Sequence, residues 1–179
     1  MGYPVSDASV SGASVSSEPA GAWFFAEEKA QISKREESVW HAVLRLKLGA
    51  ATHVEFALPK RRRLWALEPF APFLEMEFLS RRKYGARLPF GNKARYARYR
   101  LVPALVEFLL CPVSLWAWMG DLPEDPALYA HEHLLAWTIS HEGYVFAHLN
   151  TEELSALTAS GFSFEPYEEG GNHRPAPTT

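Results

Sequence analysis

The stretch LLAWTISHEGYVFAHL, residues 134–149, decides the fold. Two runs rich in aromatic and β-branched residues flank His141, Glu142 and Gly143. Three loop residues ending in glycine suit a hairpin turn whose last position is left-handed, a backbone that glycine adopts without a Cβ clash. The spacing predicts Ile139 opposite Val145, Trp137 opposite Ala147 and Leu135 opposite Leu149, which makes one face continuously apolar. A two-residue Glu-Gly turn would force Glu142 into an unfavourable backbone. The chain therefore contains an antiparallel sheet.

Downstream, NTEELSALTASG predicts a helix: Asn150 or Thr151 caps it, Glu152 and Glu153 complement the dipole of its first turn, and Gly161 ends it. FSFEP then reads as a closing strand. Upstream, PALVEFLL predicts a second helix, with Pro103 in its first turn and Leu105, Phe108 and Leu109 on one side. HAVLRLKL alternates, with Ala42, Leu44, Leu46 and Leu48 on one side, and predicts a strand. After a turn at GAAT, HVEFAL predicts its hairpin partner. FLEMEFL alternates as well, and Pro69 and Pro72 argue against a helix running into it. VSLWAWM predicts a strand with Trp116 and Trp118 on one face, and MGDLPEDPALY, residues 119–129, an exposed acidic loop.

The sum is an α+β fold: a single antiparallel-strand-rich domain over residues 22–168, with two or three helices. Residues 1–21, rich in Ser, Ala, Gly and Val, predict a flexible N-terminal arm, and residues 169–179 a flexible C-terminal tail. A chain of 179 residues, 47% hydrophobic and 22% charged, is globular in composition. Its apolar runs are broken by Pro103, Glu107 and Pro112, so no membrane span is expected. A single cysteine, Cys111, excludes an internal disulfide framework and a cysteine-based zinc site. Together with the missing signal-peptide pattern, that predicts a cytoplasmic or other reducing compartment, without secretion.

The net charge of −3 conceals a segregation. Residues 60–100 carry 12 basic and 3 acidic groups, whereas residues 101–179 carry 1 basic and 11 acidic groups. PKRRRLW at 59–65 and SRRKYGARLPFGNKARYARYR at 80–100 hold twelve of the eighteen Lys and Arg. Basic groups spaced along a surface neutralise phosphates and release counterions, the main sequence-independent source of nucleic-acid affinity. Interleaved rings stack on unpaired bases. The candidate contact residues are Arg61, Arg62, Arg63, Arg81, Arg82, Lys83, Arg87, Lys93, Arg95, Tyr96, Arg98, Tyr99 and Arg100. Arg95, Arg98 and Arg100 are expected to hold phosphates, with Tyr96 and Tyr99 stacking on bases or fixing the arginines. Asn and Gln are sparse nearby, which favours backbone or shape recognition over sequence reading.

Other constellations point elsewhere. His131 and His133, two apart, share one side of a strand, with His141 and His148 following. The cupin pattern requires a Glu four or five residues after the second His, and Trp137 and Thr138 stand there. The hairpin register places His148 on the face away from Trp137. Glu75 and Glu77 alternate onto one strand face as a possible carboxylate pair. Cys111, among apolar residues, reads as a buried small hydrophobe. The expectation is a non-enzymatic protein, without a cofactor, that contacts RNA or DNA backbone through residues 60–100. The alternative is a protein-interaction module, self-associating or partnered, that uses its segregated charge. A metal-dependent enzyme comes third.

Overall fold

The computed structural model describes residues 21–26, 38–59, 65–80, 82–83, 86–87, 93–118 and 121–167. Strands β1 (Gly21–Ala26), β2 (His53–Leu58), β3 (Leu74–Ser80), β6 (Ala94–Arg100), β7 (Glu124–Ala130), β8 (His133–Ile139), β9 (Tyr144–Leu149) and β10 (Glu165–Pro166) form one antiparallel sheet. Its order is β10-β1-β9-β8-β7-β2-β6-β3. A separate ladder pairs β4 (Arg82–Lys83) with β5 (Ala86–Arg87). The α-helices among the described residues are α1 (Val39–Lys47), α2 (Pro103–Leu110) and α3 (Thr151–Ala159). This is the α+β, antiparallel architecture read from the sequence. The arm at 1–20 and the tail beyond 167 lie outside the described residues, and Gly21 already belongs to β1.

The helices pack on one face of the sheet. Val54, Phe56 and Leu58 of β2 join Ala97 and Tyr99 of β6, Ala136 of β8, and Val145 and Ala147 of β9 in the main core. Val39, Trp40, Val43 and Leu44 of α1 and Leu105 and Leu109 of α2 complete it. The opposite face carries a smaller aromatic cluster of Tyr129, Trp137 and Phe146, flanked by Phe24, Tyr144 and Tyr167. Trp137 stacks on Phe146 at 5.1 Å between centroids and 4° between planes.

Five local readings change. HAVLRLKL is helical, not a strand. Ser38 accepts a hydrogen bond from the His41 amide as N-cap, and the buried residues Val39, Trp40, Val43, Leu44 and Lys47 recur at helical spacing. β2 thus pairs with β6 and β7 in place of the expected hairpin partner. VSLWAWM contains a 3₁₀ turn at Leu115–Ala117 in place of a strand. Trp118 is fully buried there, stacked on Phe56 at 5.9 Å and edge-on to Phe108 at 5.5 Å. A longer 3₁₀ segment, Trp65–Phe73, contains Pro69 and Pro72.

The fourth change lies at residues 124–130, expected to be part of an exposed loop and found as the largely buried strand β7 between β8 and β2. Asp125 is buried, and hydrogen bonds compensate its burial. Its Oδ1 accepts from the Ser140 amide at 2.6 Å, while its own amide donates to Ser140 Oγ at 3.2 Å. Pro126 is tolerated because the β2–β7 register shifts there, so no ladder bond requires its missing N–H.

The decisive hairpin is present with its register moved by one residue. Ile139 pairs with Tyr144, Thr138 with Val145, Trp137 with Phe146 and Ala136 with Ala147. The connection uses four residues, because Ser140 is drawn into a 3₁₀ turn by Asp125, and Gly143 closes it at φ +74°. A one-residue slip exchanges faces. His148 consequently lies on the side of Trp137, with ring centroids 5.6 Å apart, contrary to the sequence reading.

Candidate nucleic-acid interface

The basic segment forms a two-stranded ribbon. β3 and β6 pair from Leu74↔Tyr99 to Ser80↔Ala94, and a separate two-stranded ladder pairs Arg82 with Arg87 and Lys83 with Ala86. β2 accompanies β6 only from Arg100 to Arg95, where it reaches Leu58. From Ala94 outward, the ribbon therefore runs past the last β2 pair among the described residues. Arg82, Lys83 and Arg87 belong to the separate β4–β5 ladder. Arg61, Arg62, Arg63 and Arg81 lie outside the described residues.

Strand geometry sorts the remaining candidates. Lys93, Arg95 and Arg100 are exposed. Tyr96 and Tyr99 are buried, at 1% and 4% exposure, so neither ring offers a stacking surface for a base. Tyr99 packs in the main core beside Phe56, while Tyr96 stacks on Phe78 across the β3–β6 pair at 5.5 Å. Both hydroxyls have raised pKa values. Burial is the main cause, reinforced at Tyr96 by Asp125 and Glu55 and at Tyr99 by Glu77.

Arg98 faces away from the helices, opposite Glu55 in register. Its Nε and Nη2 donate to Glu55 Oε2 at 3.3 and 3.1 Å, its Nη1 donates to Glu132 Oε2 at 3.1 Å, and its Cζ lies over the Tyr129 ring, 4.3 Å from the centroid. Burial pushes the Glu55 carboxyl upward, with Arg98 opposing that shift. Burial also works against the charge of Arg98, yet Glu132 and Glu55 together raise its pKa. The guanidinium is thus internally paired, which the alternation of KARYARYR gave no means of seeing, because both carboxylates come from distant sequence.

The other constellations separate. Glu75 sits at the register irregularity of β3 and reaches His53 Nε2 at 2.8 Å, whereas Glu77 lies in register with Ala97. His53 Nδ1 contacts Thr52 Oγ1 at 2.8 Å, and Thr52 Oγ1 accepts from the His131 amide at 2.6 Å. His131, His133 and His141 are exposed, and among the described residues no three His, Cys, Asp or Glu converge to hold a metal. Cys111 is exposed at the end of α2, not buried. No described helix is long and apolar enough to cross a membrane.

No family model, curated protein or solved structure matches the chain. The geometry of this ribbon is therefore what any functional reading rests on.

Proposed function

We propose that the β3–β6 ribbon contacts the phosphate backbone of RNA or DNA, without enzymatic chemistry. The observation that carries this reading is the exposure of Lys93, Arg95 and Arg100 along β6 and the residue preceding it, Arg100 on the face of Arg98 and Arg95 on the opposite one, together with the pairing of Arg82 and Arg87 in the β4–β5 ladder. From Lys93 to Arg100 is roughly 23 Å of strand at 3.3 Å per residue, long enough to face several phosphates of a duplex. Because Tyr96 and Tyr99 are buried, affinity comes from charge, and base identity matters little.

The test is fluorescence anisotropy with labelled single-stranded RNA, duplex RNA and duplex DNA across a salt series. The wild type is expected to bind all three with steep salt dependence. The triple variant Lys93→Ala, Arg95→Ala, Arg100→Ala should lower the log–log salt slope by about 2 to 3. An unchanged slope contradicts the reading.

A second reading has its own observation. β3 ends the sheet, and among the described residues its outer edge is unpaired, with Leu74, Met76 and Leu79 exposed along it. An apolar free edge suits docking of another protein chain by strand addition. Light scattering after size exclusion at low and high salt separates self-association from a partnerless monomer.

A further inference from the structure

Arg98 is the one basic residue of the ribbon's described side chains that is bound on both sides by carboxylates, and the two are unequal. Glu55 is a buried strand residue opposite Arg98, and it takes two of the three guanidinium contacts. Glu132 takes the third, at Nη1, from the tight turn between β7 and β8, and its side chain is 86% exposed. An exposed carboxylate holding a charged partner gains little from the contact, since water competes for both groups and the side chain surrenders rotamer freedom. The turn itself is anchored independently, by the His131 amide on Thr52 Oγ1. Glu132 can therefore swing away without moving the backbone.

We propose that Arg98 is a phosphate seat held shut by Glu132: an incoming phosphate displaces that carboxylate from Nη1, while Glu55 keeps Nε and Nη2 and fixes the fork. The Tyr129 ring beneath the guanidinium lowers the local dielectric and strengthens the new charge-assisted bond. Arg100, exposed two residues along the same face of β6, supplies a neighbouring cation. Glu132 thereby acts as an internal competitor, making binding depend on ligands whose phosphates outbid one carboxylate. This inference rests on the reading of the ribbon as a phosphate surface and names an additional, regulated contact on it.

The experiment compares wild type, Glu132→Gln and Glu142→Gln, the last removing the same charge from another exposed turn. The probe is a labelled 20-nucleotide oligo(dT), titrated by anisotropy at several salt concentrations, with circular dichroism melts confirming each fold. E132Q is expected to bind about tenfold tighter than wild type and to steepen the log–log salt slope by about 0.7, the single-strand value for one more phosphate. E142Q should change affinity less than about twofold. In an Arg98→Lys background, which keeps a cation beside Glu55 but lacks the fork, the E132Q gain should disappear. Equal gains for E132Q and E142Q would reduce the effect to overall charge and overturn the seat. If no variant binds oligo(dT), the nucleic-acid reading falls, and the seat is decided separately by NMR with inorganic pyrophosphate. A shift of the Arg98 Nε–H resonance larger in E132Q than in wild type supports it, and no shift in either overturns it.

Discussion

Arg98 and His41 show how burial changes what a side chain does. Removing the guanidinium leaves Glu55 charged, buried and without its main partner, so Arg98→Ala should cost about 3 kcal/mol or more in urea denaturation. Replacing both partners by methionine should recover most of that loss, because a well-packed apolar pair avoids the desolvation cost. Arg98→Ala is therefore a poor probe of binding, whereas Lys93, Arg95 and Arg100 are exposed and suitable. His41 on α1 has its pKa lowered by burial, partly offset by the Pro112 backbone, and its buried Nε2 has no hydrogen-bond partner among the described residues. The native state thus holds the neutral ring, while the unfolded chain takes up a proton near the ordinary value of 6.5. Its contribution is present above that value and lost as pH falls through the lowered native pKa. His41→Gln should flatten the stability loss between about pH 7 and pH 5, read as urea midpoints across pH.

Among the elements, α3 is held by more than its own backbone. Asn150 Oδ1 accepts from the Glu153 amide at 2.9 Å, and Glu153 Oε2 accepts from the Asn150 amide at 2.9 Å. Glu153 Oε1 also receives the buried ammonium of Lys47 at the end of α1, so one carboxylate ties two helices. Asn150→Ala should cost about 1 kcal/mol. Glu153→Ala should cost about 3 kcal/mol, since it also strands a buried cation. Thermal melts of the two variants would show the ranking. The cap was legible in NTEE because its partners are three residues apart, and PALVEFLL was legible because its proline and apolar side are local too. HAVLRLKL was not. Its alternating leucines coincide with a helical stripe that begins at Ser38 and Val39, before the window in which alternation was read. The hairpin at 134–149 was visible as a hairpin, but its register depended on Asp125, which captures Ser140 from fifteen positions away and lengthens the turn.

For the whole molecule, the segregated charges serve two different ends. Part of the positive charge is consumed internally: Arg98 by Glu55 and Glu132, and Lys47 by Glu153. The rest of the described basic side chains on β6 remain exposed on a ribbon that outruns β2. Hydrogen exchange should reflect the same layout. Amides of β2, β7 and β8, central in the sheet, should exchange slowest, and those of β4 and β5 fastest among the strands. Comparable protection in β4 and β2 would contradict a two-stranded ladder separate from the eight-stranded sheet.

By itself, the sequence determined the fold class, helices α2 and α3, strands β2 and β3 and the hairpin, because caps, prolines and periodicity act over a few residues. It also located the excess positive charge. Only the tertiary structure decided which rings are buried, which arginine is already paired, and where Asp125 shifts a register. Those outcomes depend on Glu55, Glu132 and Ser140 meeting groups far away in the chain, and no local pattern encodes such a meeting.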